Sequence, residues 1–195
     1  MIFIVSSPSG AGKTTLCKSL FAKFPEIGRS ISVTTRKIRE KEIEGVDYYF
    51  RTESEFKTMI ADGKFLEYVE FCGNFYGTLK SEITKSQNND ENAIMFDIEW
   101  QGARQIKSHQ FDVVSVFILP PSMEILESRL KMRKTEDKNS LEARLANAKN
   151  EILHAGEYDY IIINDNLAKA QEDICAIFQA ESLKRMRKDY LAQKY

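Results

Sequence analysis

The sequence predicts an α/β fold in three layers, with a parallel core sheet that helices cover on both faces. Short apolar runs without polar alternation recur along the chain, and a stretch of helical periodicity follows each of them. Strands of this kind are typical of sheets buried on both faces, and their separation by helices favours parallel pairing. The 195 residues suit one domain, and 43% are hydrophobic, which is enough for a core without disulfides or metals.

Four apolar runs are predicted as core strands, at residues 2–5, 93–97, 113–119 and 159–163. The first run stops at Ser6 and has no basic segment before it, which indicates a buried strand rather than a signal peptide. A helix is predicted over residues 13–24, because Leu16, Leu20 and Phe24 fall on one stripe of a helical surface.

Residues 30–90 depart from this alternation of apolar runs and helical stretches. They contain short, half-polar strands (DYYFR, KFLEYVEF and FYGT) and a helix at about 53–62. This pattern predicts a small mixed or antiparallel subdomain inserted into the core. After Pro120 and Pro121, two charged helical segments joined by KTEDKNS predict a hinged helical flap. The predicted organisation is a single domain with core segments 1–30, 91–120 and 157–195, an insertion over about 31–90 and a flap over about 121–156.

The loop after the first strand reads SSPSGAGKTT over residues 6–15. Small residues let backbone N–H groups approach a triphosphate, and the N-terminus of the next helix favours negative charge. Lys13 is predicted to reach the β- and γ-phosphates, and Thr14 to offer its hydroxyl to Mg²⁺. The strict motif opens with glycine where this chain has Ser7, but the required strand-loop-helix setting is present. The predicted triphosphate-binding residues here are Ser7, Pro8, Ser9, Gly10, Ala11, Gly12, Lys13, Thr14 and Thr15.

Asp97 ends the apolar run at 93–97, where enzymes with such loops place a carboxylate near the magnesium shell. Contact with the ion through a water is one interpretation. An N-cap for the following helix is an equally good one, and a single residue can serve both roles.

The charge balance does not favour a nucleic-acid partner. Lys and Arg number 28 and Asp and Glu 29, so the chain has no global basic field. Cys17, Cys72 and Cys175 form no close pair and leave an odd count, which suits a reducing compartment. We therefore expect a cytoplasmic protein without nucleic-acid or membrane partners.

Six segments, in order and over nearly the whole chain, resemble guanylate kinases: SPSGAGKTT, ISVTTRKIRE, EGVDYYF, FLEYVEFCGNFYGT, DIEWQGA and LPPSMEILESRL. The resemblance implies a core with an ATP loop, an inserted GMP-binding region and a lid. It also implies Mg²⁺-dependent transfer of the γ-phosphoryl group of ATP to GMP, and to dGMP, within purine metabolism. A monomer and a homodimer are both compatible with the sequence.

The residue that points most directly to guanine is Glu67, which falls on one strand face with three apolar side chains. An acid there must have a partner or lie at the mouth of a pocket. A carboxylate can accept from both N1–H and the exocyclic amine of guanine, and a hydroxyl can serve O6. By resemblance, Glu67 binds the guanine edge with Ser32 and Thr78 as hydroxyl partners, and Glu99 stands at the position of a second base-binding acid.

The same resemblance assigns the GMP phosphate to two arginines and two tyrosines. Arg36 and Arg39 match the phosphate-binding arginines of the family, and Tyr48 and Tyr76 match its tyrosine donors. The alternative for two arginines in a loop is plain solvation.

In the flap, Arg133 and Arg144 match arginines that neutralise charge on the transferring phosphoryl group, which makes them catalytic together with Lys13. A solvated helix surface is the alternative. Asn164 and Asp165 match a segment near the adenine of ATP, or else cap the final helix. No general base is expected, because the attacking phosphate oxygen of GMP is already anionic near neutral pH.

Two other functions compete with this one. Ribose-1,5-bisphosphate kinases share the phosphate loop but have no use for a guanine-binding acid such as Glu67. Guanylate-kinase-like modules of scaffold proteins bind phosphopeptides and usually have an eroded ATP loop, whereas Lys13 and Thr14 are intact in this chain.

Overall fold

The computed structural model of the protein describes residues 1–89, 91–132 and 138–194. The first of two compact units comprises Met1 and residues 3–25 and 113–195, and the second comprises Ile2 and residues 26–112. Up to residue 97 the elements are β1 (Ile2–Ser6), α1 (Lys13–Lys23), β2 (Ile27–Arg29), β3 (Val33–Thr34), β4 (Tyr49–Phe50), α2 (Glu53–Ala61), β5 (Phe65–Phe71), β6 (Asn74–Leu79), α3 (Lys80–Asn88) and β7 (Ala93–Asp97). They continue with α4 (Trp100–Lys107), β8 (Val113–Leu119), α5 (Met123–Met132), α6 (Lys138–Leu153), a 3₁₀ turn (Ala155–Glu157), β9 (Tyr160–Ile163) and α7 (Leu167–Lys194).

Within the described residues the strands form two sheets. The first has the strand order β2-β7-β1-β8-β9, and both β2–β7 and β8–β9 pair in parallel. The second has the order β4-β3-β6-β5, with β3–β4 parallel and the other pairs antiparallel. The predicted α/β class, with a parallel core sheet and a second mixed sheet, is confirmed.

The first unit is built around aromatic and aliphatic side chains from its strands and from helices α1 and α7. Leu16 and Leu20 of α1 are completely buried, as their helical spacing predicts. The ring of Phe178 in α7 meets Phe3 edge-on at 5.4 Å and Phe24 at 4.9 Å between centroids. Phe24 itself stands at the C-cap of α1 rather than inside the helix.

The second unit has its own small core between its mixed sheet and helix α2. Phe56 of α2 is fully buried and stacks on Phe65 at 4.4 Å and on Phe75 at 5.4 Å between ring centroids. Thr52 and Glu55 form a capping box that begins the helix. Three elements of this unit, β2, β3 and α3, are not predicted by the sequence pattern.

The alternation predicted for β5 is wrong at its start. The pairing of β5 with β6 shifts register between Phe65 and Glu67, so that Leu66 is an extra residue in the strand. As a consequence Phe65, Leu66 and Glu67 are all buried. From Glu67 onward the expected alternation holds, with Tyr68 exposed and Val69 buried.

The region predicted as a flap contains α5 and α6, which meet through buried Leu126, Leu130 and Ala148. Helix α6 begins at Lys138, inside the segment KTEDKNS that the sequence predicts as a connection. Arg133 lies outside the described residues. No helix among the described residues is long and apolar enough to cross a membrane.

Candidate functional site

The loop between β1 and α1 has the backbone shape that a phosphate cradle requires. Gly10 and Gly12 have φ angles of 94° and 105°, a left-handed conformation that strongly favours glycine. The N–H of Ala11 closes a turn on the carbonyl of Pro8 at 3.1 Å. Gly12 is the N-cap of α1, so the positive end of the helix dipole lies at the end of this loop.

Asn164 supports this loop from the end of β9. Its side-chain Nδ2 donates to the carbonyl of Ala11 at 2.7 Å, and both residues are buried. A Cβ on Gly12 would overlap that same Nδ2, so the glycine also makes room for the amide. The Asn164 backbone donates to Leu119 at 2.8 Å and accepts from Arg129 Nη2 at 3.0 Å. Asn164 therefore ties the loop to β8 and α5 within the first unit.

Replacing Asn164 with alanine is expected to lower the free energy of unfolding by about 1–3 kcal/mol, because the buried Ala11 carbonyl loses its donor. It should also weaken triphosphate binding several-fold by loosening the loop. Chemical denaturation and nucleotide titration measure the two effects. Asn88→Ala, the same change on an exposed residue, is the control. A stability equal to that of the control would contradict the assigned role.

The other residues predicted for the triphosphate are distributed as follows. Ser7 is buried and its hydroxyl donates to the Pro8 carbonyl, while Thr14 and Thr15 are exposed at the start of α1. Arg144 is half-buried in α6. Asp97 is exposed at the carboxyl end of β7.

The N-cap alternatives for Asp97 and for Asn164 and Asp165 are wrong. Helix α4 begins at Trp100, so its N-cap is Glu99 and not Asp97. The first turn of α7 is capped by Asn166, whose Oδ1 accepts from the Lys169 N–H at 3.0 Å. In both cases the helix begins further along the chain than a cap at the end of the preceding apolar run would place it.

Glu67, Thr78 and Glu99 form an acid cluster in the second unit. The Glu67 side chain is buried, with 3% of its surface exposed, and its Oε1 accepts from the Thr78 hydroxyl at 2.6 Å. Burial raises the pKa of Glu67 to about 7; hydrogen bonds from Thr78 work in the opposite direction and the charge of Glu99 adds to the increase. The structure thus joins three of the four predicted base-binding residues.

The register of the β5–β6 hairpin creates this contact. The turn at Cys72 and Gly73, both with positive φ, pairs Phe71 with Asn74 and brings Glu67 opposite Thr78. Ser32, the fourth predicted residue, directly precedes β3, in which Val33 pairs with Gly77. Its position is therefore next to Thr78 in the register of the sheet.

A second group of predicted residues, the arginine cluster, comprises Arg36, Arg39, Tyr48 and Tyr76. It also contains Glu42, which the sequence analysis did not select. Arg36 makes a two-pronged ion pair with the Glu42 carboxylate, at 3.0 and 2.8 Å. The Arg39 guanidinium lies 4.0 Å from the Glu42 carboxylate, and the backbone N–H of Arg39 donates to the same carboxylate at 2.9 Å. The Arg36 Cζ atom lies over the Tyr48 ring, 5.3 Å from the ring centroid, and the centroids of the Tyr48 and Tyr76 rings are 6.2 Å apart.

The two ends of this ion pair stabilise each other's charge. Hydrogen bonding by Arg36 lowers the pKa of Glu42. Burial acts to lower the pKa of Arg36, but the hydrogen bonds and charge of Glu42 outweigh it and raise that pKa. Arg36 is therefore held in one place, with its side chain only 15% exposed, whereas the side chain of Arg39 is 68% exposed.

Comparison with known proteins identifies the family. The family model described as guanylate kinase matches residues 1–181. The guanylate kinase of Rickettsia prowazekii is 46% identical over 184 residues, which cover 94% of this chain and 93% of the relative. That of Maricaulis maris is 44% identical and covers 99% of this chain and 88% of the relative. A crystal structure of guanylate kinase from Anaplasma phagocytophilum, 35% identical, gives a TM-score of 0.73 and covers 93% of this chain and 86% of that one. The chain belongs to the guanylate kinase family.

Proposed function

We propose that this protein transfers the γ-phosphoryl group of ATP to GMP, and to dGMP, giving ADP and GDP. The observation that carries the proposal is the buried Glu67 carboxylate with the Thr78 hydroxyl 2.6 Å away. Among the described residues no cation acts on this carboxylate. A buried acid without a cationic partner is costly to the fold, so its presence favours a ligand that brings hydrogen-bond donors to it.

Guanine supplies two further donors for this acid. Its N1–H and exocyclic amine are adjacent, and one carboxylate can accept both as a two-pronged pair. Adenine presents an acceptor at N1, which would face the carboxylate with a lone pair. The carboxylate thus favours guanine over adenine, and Ser32 and Thr78 supply hydroxyls near the same edge.

The arginine cluster suits the phosphate of GMP. Arg36 and Arg39 together carry two positive charges against the single carboxylate of Glu42, so the cluster keeps a positive charge for a phosphate dianion. Glu42 holds the Arg36 guanidinium in position, which reduces the entropy lost when the phosphate binds. Tyr48 and Tyr76 add hydroxyl donors.

On the triphosphate side, the loop at residues 7–15 binds the phosphates of ATP and Asn164 supports the loop. Lys13, Arg133 and Arg144 neutralise charge on the transferring phosphoryl group. Mg²⁺ suits the hydroxyl oxygen of Thr14 and, through a water, the carboxylate of Asp97, because both are hard oxygen ligands. When bound, the ion offsets the phosphate charge.

In the proposed organisation, each part of the chain has one of these roles. Residues of about 31–90 bind GMP, about 121–156 form the flap, and the remaining segments form the core of a cytoplasmic enzyme. No side chain acts as a general base, because the attacking phosphate oxygen is already anionic.

A substrate panel tests the proposal. ADP formation is measured with Mg²⁺ and ATP against GMP, dGMP, AMP, UMP and ribose 1,5-bisphosphate. We expect turnover with GMP and dGMP and at least a hundredfold lower kcat/KM with AMP and UMP. Activity confined to AMP or to the sugar bisphosphate would contradict the guanine assignment. A complete lack of activity would favour a binding module of the scaffold type.

A further inference from the structure

Helix α4 packs against strand β5 at the point where Glu67 is buried. The residue of α4 that faces the carboxylate is Gly102. A Cβ added at Gly102 would overlap Oε2 of Glu67 and come within 2.9 Å of its Cδ. The space that a side chain at position 102 would fill is therefore the space that the Glu67 carboxylate occupies.

The backbone of Gly102 does not itself require glycine. Its φ angle lies outside the left-handed range, and the residue sits in a regular helix. Glycine is a poor helix former compared with alanine, so local propensity does not explain it either. The neighbour that excludes a side chain is Glu67, because the three heavy atoms of other elements nearest to the added Cβ are its Oε2, Cδ and Cγ.

One turn later, Gln105 binds the strand backbone beside Glu67. Its Oε1 accepts from the Tyr68 N–H at 3.2 Å, and its Nε2 donates to the Tyr68 carbonyl at 2.8 Å. Among the described strands β5 lies at the edge of its sheet, so these two groups would otherwise have no described strand to pair with. Residues three apart on a helix lie on one face, so Gly102 and Gln105 act on β5 together.

We propose that α4 positions the guanine-binding carboxylate, with Gly102 providing its space and Gln105 fixing the strand that carries it. Both are positioning residues, since they act through Glu67. The proposal rests on the proposed function for its link to GMP, but the position of the carboxylate can be measured without any substrate.

The first test is titration of the Glu67 carboxyl group by ¹³C NMR in the protein without nucleotide. Glu67 has a pKa of about 7 because it is buried. In Gly102→Ala the added methyl group pushes the carboxylate toward water, so we expect this pKa to fall toward the ordinary value of about 4.5. An unchanged titration in a folded Gly102→Ala protein would overturn the proposal, whether or not the protein phosphorylates GMP.

The second test is kinetic. In Gly102→Ala we expect the KM for GMP to rise at least tenfold, while the KM for ATP and the thermal midpoint stay close to those of the wild type. A general disturbance of folding would instead change both KM values. Gly156→Ala is the matched control, because nothing lies within 4 Å of a Cβ at that position. Gln105→Ala should raise the KM for GMP about three- to tenfold.

A double variant shows whether Gly102 acts through Glu67. Aspartate is one methylene shorter than glutamate, so Glu67→Asp leaves room for a Cβ at position 102. Adding Gly102→Ala to Glu67→Asp should therefore change the KM for GMP less than twofold, in contrast to its effect on the wild type. Equal effects in the two backgrounds would overturn the proposal. Lack of GMP phosphorylation by the wild type would count against the proposed function, not against the NMR result.

Discussion

Lys13→Ala is expected to lower kcat for GMP phosphorylation by roughly 10²–10⁴-fold. Lys13 is the first residue of α1, directly after the left-handed Gly12, where a lysine side chain can follow the phosphates of ATP. Its ammonium group stabilises charge that builds up on the transferring phosphoryl group, and no other cation of the loop at residues 7–15 can replace it.

The measurement is steady-state kinetics with ATP and GMP, together with a thermal unfolding curve. Lys13 is half-buried at a helix end, so the midpoint should change little. Lys18→Ala, an exposed lysine of the same helix, is the matched control and should retain full activity. A Lys13→Ala protein with more than a tenth of the wild-type kcat would show that the loop does not have the proposed role.

Glu67→Gln is expected to weaken GMP binding by about 2–4 kcal/mol, a loss of roughly 30- to 1,000-fold in affinity. Glutamine keeps one acceptor oxygen but turns an NH₂ group toward the second guanine donor. Calorimetric titration with GMP measures the loss. Glu70→Gln changes an exposed acid of the same strand and should bind GMP as the wild type does. Unchanged affinity in Glu67→Gln would mean that another group recognises the base.

The raised pKa of Glu67 adds a pH dependence to this prediction. GMP needs the ionised carboxylate, so its affinity in the wild type should fall as the pH drops through about 7, beyond the effect of the phosphate itself. In Glu67→Gln only the phosphate contribution remains. A wild-type pH profile that superimposes on that of Glu67→Gln would contradict this assignment.

The same carboxyl group has the opposite effect on the protein without nucleotide. Its pKa is higher in the folded state than in the unfolded chain, so the folded state binds more protons between pH 4.5 and 7. Its contribution to stability is therefore largest at low pH, falls as the pH rises through that window, and is constant above it. At pH 8, Glu67→Gln should be more stable than the wild type by on the order of 1–3 kcal/mol, measured by urea denaturation.

The core of the fold could be predicted because its strands are long apolar runs. Ala93–Asp97 and Val113–Leu119 have the predicted bounds, since a fully buried strand leaves a continuous hydrophobic run. Short strands leave no such signal. Ile27–Arg29 has three residues and Val33–Thr34 has two, and both form because neighbouring strands pair with them.

The residues of the candidate site were predicted mainly from the resemblance to guanylate kinases, together with the chemistry of their side chains, but the residues that support them were not predicted. In the sequence Glu42 is one of several charged residues in a charged loop. Only the folded loop brings its carboxylate into contact with Arg36. In the sequence Gly102 is only a glycine within a predicted helix. The reason for a glycine there is its contact with Glu67, which lies on a strand 35 residues earlier in the sequence. Contacts between distant segments, together with the extra residue Leu66 in β5, are not encoded in local periodicity.

The central claim is that Glu67 recognises guanine through two donors. Inosine monophosphate has the same N1–H and O6 as GMP but lacks the exocyclic amine, so the ratio of kcat/KM for GMP to that for inosine monophosphate isolates the second hydrogen bond. For the wild type we expect a ratio of roughly 10–100, the scale of one hydrogen bond to a charged group. In Glu67→Gln the ratio should fall to within about threefold of unity. A wild-type ratio near one, or a high ratio that persists in Glu67→Gln, would contradict the account.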